Sequence, residues 1–551
     1  LNMYGYGDGG SGCTEEMLEM IRRFDKVSVM PKIEVTGGDA FLHKNLKDNT
    51  NLATWDGELY LEMHRGTFTT KSNLKKANRT LEFKLREAEL RAALASLTGA
   101  SYPSEELTEC YKKFLLNQFH DILPGSHIHP VYEDAMNDYR NVSERLDAML
   151  ASTAGNEYFN SLNFTRSAIT FIEDENGNVT RHGVKGFWSI PALAGLSTGK
   201  VTVLPSKEGW LNTTVCDKCD CLVVVTPYYR AKLSNDGSFV SLYDKELDRE
   251  WVKEGCGFNK LHLYADNPGM YDAWDILPNY KDVQIALNVD KPLALVSSDG
   301  SSAEFAVTFT TEKRTWKMIL RFFADSRAIE VENVVDWDEK HKLAKVNFGP
   351  DVLTRELVCD TSAGFVKRDL TKNTSWQQAR FEVCHHKWCD MSESGSGIAI
   401  INEGKYGVGL EKDEISLSLL RATIRPDITS DIGHHDFCYT ILPHSGDAVE
   451  AQVNKTAMEY NVPLCKSNVT VPAALRDTLN NCGLYLQAMK RSEDGQYLIL
   501  RLSEQDGRRG KIAFPFEVQT MNLIEDIEGS TKVVSYHPFE LITVAVKPED
   551  L

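Results

Sequence analysis

Apolar residues recur every three or four positions between residues 50 and 153, which is the spacing of amphipathic helices. Three such stripes follow one another with short connections. They consist of Leu74, Ala77, Leu81, Leu85, Ala88 and Ala92; of Leu107, Cys110, Tyr111, Phe114 and Phe119; and of Tyr132, Ala135, Met136, Tyr139, Leu146 and Met149. Three amphipathic helices with short connections predict a small antiparallel bundle with the stripes as its core.

After Gly155 the helical period gives way to short apolar or alternating runs, which are typical of β-strands. An Asn-Asp-Gly triplet at 235–237 predicts a hairpin turn. Nearly 400 residues of this pattern are too many for one sandwich, so we expect two or more packed antiparallel units. The clearest predicted strands are 168–172, 222–225, 303–307, 397–401 and 541–546.

The first 48 residues have the pattern of the end of an α/β unit. A glycine-rich loop precedes a helix that Thr14 is expected to cap, and a short strand is predicted at 32–35. One helix and one strand cannot close a sheet, so we expect the rest of this unit upstream. The fold class is therefore α+β, with an α/β end at 1–48, a three-helix bundle at 49–154 and a β-sandwich region at 155–551.

Charge and hydropathy exclude several classes of partner. The formal net charge is -18 and the pI is about 5.3, so the chain lacks the basic face that nucleic acids or anionic membranes require. Its apolar runs are shorter than the roughly 20 residues that span a bilayer. We expect no nucleic-acid or membrane partner and a neutral or polar substrate.

The twelve cysteines show no disulfide-scaffold spacing, and Cys216, Cys219 and Cys221 form the one tight group. A structural zinc site usually takes four ligands in two separated pairs, and the sequence offers no second pair. Reduced thiols are the favoured interpretation, and metal binding by this group is left open.

The segment Gln-Phe-His-Asp-Ile-Leu-Pro-Gly at 118–125 places the imidazole of His120 beside the carboxylate of Asp121, where the helical pattern ends in a Pro-Gly turn. Such a pair can present a metal ligand next to a polar substrate contact, and the carboxylate can fix the orientation of the ring. A histidine near a helix end is also a common surface or capping residue. The flanking sequence favours the first interpretation.

Two segments, 58–70 and 116–126, resemble the class II α-mannosidases of glycoside hydrolase family 38, in their bacterial and cytosolic-type branch. The first contains His-Arg-Gly-Thr at 64–67. Shorter similar stretches lie at 5–10, 271–275 and 419–422. The resemblance implies an N-terminal β/α barrel before the bundle and the β-sandwich region, so that residues 1–48 form the C-terminal end of the catalytic barrel. It also implies a retaining exo-glycosidase that removes terminal α-linked mannose and uses one zinc ion to hold sugar hydroxyls.

The resemblance assigns roles to residues of the bundle. His120 corresponds to a zinc ligand, and Asp121 to a carboxylate that hydrogen-bonds the bound sugar. His64 lies where related enzymes place an aromatic residue against the sugar ring, with a partly buried structural histidine as the alternative. Arg65 beside it is expected to be a structural ion-pair partner.

Outside the bundle, Asp8 is the candidate general acid/base, because partial burial of a loop carboxyl raises its pKa as this role requires. The alternative is that its glycine-rich loop merely caps the following helix. Arg421 is predicted to contact substrate from the β region. Asp272 and Asp275 flank Trp274, which suits sugar binding but is more typical of a structural turn.

The resemblance implies that the family's His-x-Asp zinc pair and its nucleophile belong to the barrel, upstream of Leu1. Retention requires two carboxyl groups about 5 Å apart. We therefore expect the chain alone to lack the nucleophile and part of the zinc site, and to act on mannose-containing oligosaccharides only with the N-terminal catalytic portion of the same protein. A cytoplasmic location is expected, whereas the preferred linkage and the oligomeric state, including a homo-oligomer, are left open.

Two other functions compete with this hypothesis. The chain can be a non-catalytic, β-rich carbohydrate-binding or assembly module in which the His-Asp pair is structural. A metallo-phosphoesterase or protease is disfavoured, since the sequence contains neither His-Glu-x-x-His nor a nucleophile elbow.

Overall fold

The computed structural model describes residues 3–7, 10, 12–49, 51–216, 220–311 and 314–551. The chain divides into two compact units, Leu1–Tyr60 and Leu61–Leu551. None of the described helices has the length and apolar character needed to cross a membrane.

The first unit contains two helices, α1 (Glu15–Phe24) and α2 (Gly38–Leu46). Thr14 caps α1 as predicted, because its hydroxyl accepts a hydrogen bond from the amide of Met17 at 3.2 Å. The strand predicted at 32–35 is wrong: this segment is irregular, since the described part of the unit supplies no neighbouring strand to pair with it. No described residue of this unit is buried, so the segment has no core of its own.

The second unit begins with the three predicted helices, α3 (Ser72–Ser96), α4 (Ser104–Leu116) and α5 (His129–Ser152), preceded by one turn of 3-10 helix at Gly66–Phe68. They share one apolar core, formed by residues of the predicted stripes together with Val142, which was not predicted: Leu74, Leu81, Leu85, Ala88, Leu107, Cys110, Phe114, Ala135, Tyr139, Val142 and Leu146. The far side of α3 contributes Leu90, Ala93 and Leu94 to a second core with the C-terminal strands. α3 is therefore buried on two faces.

The helix α4 ends earlier than its apolar stripe predicts. Asn117 follows it, and its side chain donates a hydrogen bond to the carbonyl of Lys113 at 2.9 Å, which also accepts one from the backbone amide of Asn117 at 3.3 Å. Phe119 therefore lies outside the helix and is 55% exposed, so its assignment to the core was wrong.

The rest of the unit is built of short strands, with three short helices among them: α6 (Ser375–Ala379), α7 (Val453–Asn461) and α8 (Ala473–Leu479). The five predicted strands and the hairpin at 235–237 are confirmed, although the first strand begins at Thr170 and not at residue 168. The first sixteen strands are β1 (Glu157–Asn160), β2 (Thr170–Glu173), β3 (Val179–Arg181), β4 (Val184–Ser189), β5 (Ser197–Gly199), β6 (Asn212–Cys216), β7 (Cys221–Val225), β8 (Tyr229–Leu233), β9 (Phe239–Asp244), β10 (Arg249–Glu250), β11 (Phe258–Ala265), β12 (Gln284–Ile285), β13 (Asn288–Ser298), β14 (Ser302–Thr310), β15 (Thr315–Phe323) and β16 (Ile329–Trp337).

The remaining strands lie in the second half of the chain. They are β17 (Lys342–Phe348), β18 (Glu356–Thr361), β19 (Gly364–Asp369), β20 (Glu382–Cys384), β21 (Trp388–Glu393), β22 (Ser396–Asn402), β23 (Gly407–Glu411), β24 (Glu414–Arg421), β25 (Gly433–Ser445), β26 (Cys465–Ser467), β27 (Tyr485–Arg491), β28 (Leu498–Ser503), β29 (Gly510–Met521), β30 (Ile527–Tyr536) and β31 (Leu541–Val546).

These strands form several antiparallel sheets. The largest has the order β13-β14-β15-β16-β25-β22-β21-β18-β19, and a six-stranded sheet has the order β12-β11-β17-β24-β23-β20. The two sheets contact each other through aromatic side chains: Phe348 of the smaller sheet meets Tyr439 of the larger one, with ring centroids 5.7 Å apart. Their central strands, such as β22 and β24, are buried along nearly their whole length, as expected for strands inside a sandwich.

Two five-stranded sheets and two three-stranded sheets complete the region, in the orders β10-β9-β8-β7-β6, β27-β28-β31-β29-β30, β26-β1-β5 and β2-β4-β3. The chain is therefore an α+β protein with a large antiparallel β-sandwich region, as predicted. The eleven described cysteines, including Cys216 and Cys221, are free thiols. Cys219 lies outside the described residues, so metal binding by that group stays open.

Candidate functional site

His120 lies in a loop four residues beyond the end of α4, and not at the helix end itself as the sequence indicated. Successive tight turns form this loop, among them the hydrogen bond from the amide of Ile122 to the carbonyl of Phe119 at 2.9 Å. The His120 side chain is 77% exposed, and its ring packs on Phe119 with the centroids 4.1 Å apart. The imidazole is therefore open to an incoming ligand.

The neighbouring carboxylate is half-exposed and is held by Ser126. Oδ1 of Asp121 accepts a hydrogen bond from the hydroxyl of Ser126 at 2.7 Å, and the amide of Ser126 donates to the Asp121 carbonyl. Oδ2 lies 3.8 Å from Nε2 of His120. Ser126 thus fixes the carboxylate in a position where its second oxygen faces the imidazole.

The loop that contains His120 and Asp121 is anchored from the protein interior by Lys75 of α3. The buried ammonium group donates to the carbonyls of Thr70, Leu123 and Pro124 at 2.5, 2.8 and 3.2 Å. Burial lowers the pKa of Lys75 to about 7. Gly125 closes the loop with φ +87°, and a Cβ there would lie 2.7 Å from the Thr70 carbonyl oxygen. This close packing limits the movement of the loop.

The prediction that Arg65 is a structural ion-pair partner is confirmed. Its guanidinium lies 3.1 Å from a carboxylate oxygen of Asp275, donates to the carbonyl of Ala379 at 3.1 Å and stacks over the ring of Phe381 at 4.4 Å. The adjacent His64 is half-buried. Its Nδ1 is buried without a hydrogen-bond partner in the described part of the chain, and the contact with a sugar stays a prediction.

Arg421 ends strand β24 and is 1% exposed. Its guanidinium donates to the hydroxyl of Thr70 at 3.1 Å and to the carbonyl of Asp275 at 2.8 Å, and it pairs with the carboxylate of Asp266. Arg421 is therefore a buried residue that holds neighbouring segments together. Direct contact between Arg421 and substrate stays a prediction.

Three segments that the sequence singled out meet around Arg421. The amide of Gly66 donates to the carbonyl of Trp274 at 2.8 Å, and the hydroxyl of Thr70 donates to the carbonyl of Ala273 at 3.0 Å. We call the group Arg65, Gly66, Thr70, Asp275 and Arg421 the arginine junction. It joins the segment that precedes α3 to the loop that contains Asp275 and to the end of strand β24.

The carboxylates that flank Trp274 are both engaged within the protein. Asp275 pairs with Arg65, whereas Asp272 accepts from the amide of Ile424 at 2.6 Å and lies 3.2 Å from a ring nitrogen of His341. Burial raises the pKa of Asp272. These contacts favour the structural turn over sugar binding.

The fit of a zinc ion to the His120 loop is partial. Within the described ranges, no third histidine, cysteine, aspartate or glutamate joins His120 and Asp121 in a cluster of ligand atoms. One exposed imidazole with a carboxylate beside it suits zinc but cannot complete four-coordination. Asp8, the candidate general acid/base, lies outside the described residues.

A cavity of about 480 Å³ is lined by residues near His120 in sequence, such as Gln118 and Pro124, and by Lys75, Arg79 and Tyr406. Neither His120 nor Asp121 lines it. It is therefore distinct from the surface that presents the His-Asp pair.

Sequence reasoning missed several residues of this region. Gly66 had a signal, since a glycine between Arg65 and Thr67 suggests a close approach by another group. Asp266 and Lys75 had none, because a single carboxylate after a strand and a single lysine on a helix usually face water. Only the fold brings them to Arg421 and to the His120 loop.

Three family models match the chain and together span well over half of it. The "Alpha mannosidase middle domain" matches residues 62–156, the "Glycosyl hydrolases family 38 C-terminal domain" matches residues 224–429, and the "Glycosyl hydrolases family 38 C-terminal beta sandwich domain" matches residues 483–544. The first of these contains the His120 loop.

Similar proteins include "Alpha-mannosidase 2C1" of Homo sapiens, 30% identical over 529 residues, which covers 92% of this chain and 50% of that protein. The "Alpha-mannosidase" of Saccharomyces cerevisiae is 32% identical over 495 residues, covering 84% of this chain and 43% of that protein. The chain thus spans about half the length of the curated relatives it matches.

Among solved structures, an alpha-mannosidase from Enterococcus faecalis V583 has the same fold, with a TM-score of 0.72 at 13% identity over 94% of this chain and 72% of that one. The three domain matches and the relatives agree with each other and with the α-helical and β-sandwich parts described above. The chain belongs to glycoside hydrolase family 38, of which it holds the middle and C-terminal domains.

Proposed function

We propose that this chain is the C-terminal portion of a zinc-dependent, retaining α-mannosidase that removes terminal α-linked mannose from oligosaccharides. The main support is the His120 loop. It presents an exposed imidazole and a half-exposed carboxylate side by side, on a backbone that Lys75 anchors from the interior. A ligand pair held on a rigid support is what a metal-dependent sugar site requires.

In this proposal His120 holds one coordination position of a zinc ion. When bound, the ion acts as a Lewis acid that grips sugar hydroxyls. Asp121 accepts a hydrogen bond from a sugar hydroxyl through the oxygen that Ser126 leaves free. His64 lies against the sugar ring, and Asp8 donates the proton to the leaving group and later removes one from water.

The remaining zinc ligands and the nucleophile come from the N-terminal catalytic portion of the same protein. Two observations support this part: the relatives are about twice as long as the chain, and the described residues supply no third ligand beside His120 and Asp121. Leu115, Leu116 and Phe119, within five positions of His120, each expose more than half of their surface, which is typical of an interface. The chain alone is inactive.

The test joins this chain to its native upstream sequence and measures hydrolysis of an aryl α-mannoside, with and without a chelator. We expect the chelator and His120→Ala each to reduce kcat/KM more than about 100-fold, since Lewis-acid stabilisation contributes several kcal/mol. His537→Ala, at another exposed histidine, is the matched control and should leave activity unchanged. Full activity of His120→Ala would end the zinc assignment.

Two further measurements separate the finer parts of the proposal. Proton NMR of the first sugar released should show the α-anomer, because two successive displacements retain configuration. Calorimetry of the isolated chain with mannosides should show no binding. Clear binding by the chain alone would instead support the carbohydrate-binding module.

A further inference from the structure

A second group of potential metal ligands lies in the β region, away from the His120 loop. His182 forms the turn between β3 and β4, Glu403 follows β22, and Cys438 lies on β25. Nε2 of His182 is 3.1 Å from Oε2 of Glu403 and 3.4 Å from Sγ of Cys438. Cys438 is fully buried, whereas the side chains of His182 and Glu403 are 15% and 16% exposed, so that the group is reachable from solvent.

We propose that His182, Glu403 and Cys438 bind a divalent metal ion of the zinc type, with solvent in the fourth position. Nitrogen, oxygen and sulfur are the donors that zinc takes in proteins. Bonds of about 2.0–2.3 Å at tetrahedral angles place ligand atoms about 3.3–3.5 Å apart. The separations of 3.1 and 3.4 Å from Nε2 of His182 are close to these values, and the third, between Glu403 and Cys438, lies within 4.8 Å.

Two of the three ligands, His182 and Glu403, are each oriented by a second contact. Oδ2 of Asp436 lies 3.0 Å from Nδ1 of His182, the arrangement that leaves Nε2 of a metal-binding histidine free for the ion. Arg181 binds one carboxylate oxygen of Glu403 and leaves the other facing His182. Asp436 is in turn paired with Lys76 of α3. The group is preorganised.

The backbone supports a special role for position 182. His182 and Gly183 form a two-residue hairpin turn with φ of +50° and +75°, a conformation in which Asn-Gly is the common choice. The amide of His182 donates to Glu332 at 2.8 Å, and Arg181 pairs with Glu330 at 3.0 Å, both on β16. The β3–β4 hairpin thus delivers the imidazole to the large sheet.

A divalent ion can bind to this group without changing the group's net charge. Burial opposes a charged ring, but Cys438, Asp436 and Glu403 outweigh it and raise the pKa of His182 to about 12. Burial raises the pKa of the Cys438 thiol to about 11. A divalent ion would replace one proton on the ring and one on the thiol, so the net charge of the group stays the same.

Binding here would fasten the β3–β4 hairpin to the large sheet, because the three ligands come from separate parts of the chain. The site shares no residue with the His120 loop, and the inference does not depend on the proposed activity. It predicts a structural or regulatory ion that stabilises the folded chain.

The experiment titrates the purified, metal-free chain with Co²⁺ under reducing conditions and records its absorption spectrum. We expect a sulfur-to-cobalt charge-transfer band that saturates at one equivalent, disappears when Zn²⁺ is added, and accompanies a higher Tm. Cys438→Ser should abolish the band, and His182→Asn, which suits the positive φ, should weaken Co²⁺ binding at least tenfold. His120→Ala and the buried-thiol control Cys110→Ser should keep it.

Two results would overturn the proposal: a folded chain without a cobalt–thiolate band, or a band that survives Cys438→Ser. Loss of the band in Cys216→Ser instead would assign it to the other cysteine group. Should Cys438→Ser fail to fold, Glu403→Gln is the second variant, and unchanged Co²⁺ affinity there would also overturn the proposal. The activity of His120→Ala has no bearing on these outcomes, so failure of the mannosidase proposal is distinguishable.

Discussion

The guanidinium of Arg421 packs directly against the Cα of Gly66, so that a Cβ at position 66 would lie 2.1 Å from Nη1. The two residues are more than 350 positions apart in the chain. Their contact joins the His-Arg-Gly-Thr segment to the end of β24, and Thr70 and Asp275 complete the same junction. Since the segment leads into α3, the junction fixes where the helices begin relative to the β region.

Gly66→Ala is expected to destabilise the protein by about 1–3 kcal/mol, because the added methyl group must displace a buried guanidinium. Chemical denaturation followed by circular dichroism measures the change. Gly38→Ala, where nothing lies within 4 Å of the added atom, is the control and should be neutral. Equal stability of the Gly66 variant and the wild type would show that the Arg421 side chain can move aside without loss of stability.

Arg421→Lys separates a structural role from substrate binding. A lysine cannot reach Thr70, Asp266 and the Asp275 carbonyl together, so we expect a loss of about 2–4 kcal/mol of stability and little change in KM of the joined protein. Denaturation and steady-state kinetics on the same preparation test this. Normal stability with a raised KM would support direct substrate contact instead.

Lys75→Met tests the anchor of the His120 loop. Three carbonyls lose their donor, so we expect about 1–3 kcal/mol of destabilisation and faster hydrogen exchange in residues 121–126. Lys112→Met, at an exposed lysine of α4, is the control. If exchange of the loop amides were the same in both variants, Lys75 would not be its anchor.

His182 should make stability depend on pH in the metal-free chain. Its pKa is raised from 6.5 to about 12 in the folded state, so its stabilising effect is complete below pH 6.5 and is lost as the pH rises towards 12. The stability difference between the wild type and His182→Asn should shrink above pH 6.5 by up to about 1.4 kcal/mol per pH unit. Urea denaturation in the presence of a chelator measures this stability difference. A difference that grows with pH would contradict a raised pKa for His182.

The periodic pattern of the sequence predicted the elements but not their ends. Stripes at helical spacing located α3, α4 and α5, and apolar runs located five strands, because burial of one face is written in the sequence itself. The helix α4 ends at Leu116, whereas its apolar stripe continues to Phe119, so the stripe did not predict where the helix ends. The strand expected at 32–35 shows that apolar alternation is insufficient without a neighbour to pair with.

The candidate site was predicted in part. His120 and Asp121 are adjacent, so a short motif reveals them, and the structure shows both on one exposed loop. The residues that support or extend the site are distant in sequence. Lys75, Gly66 with Arg421, and the group His182, Glu403 and Cys438 come together only through strand order, as when β25 pairs with β22. No local pattern carries that information.

Zinc analysis of the joined protein tests the central proposal most directly. It is best made in a Cys438→Ser background, which removes the second metal site, by measuring zinc per chain together with hydrolysis of an aryl α-mannoside. The account predicts about one zinc with full activity when His120 is present, and loss of both with His120→Ala. Retention of zinc and activity by the His120→Ala protein would contradict it.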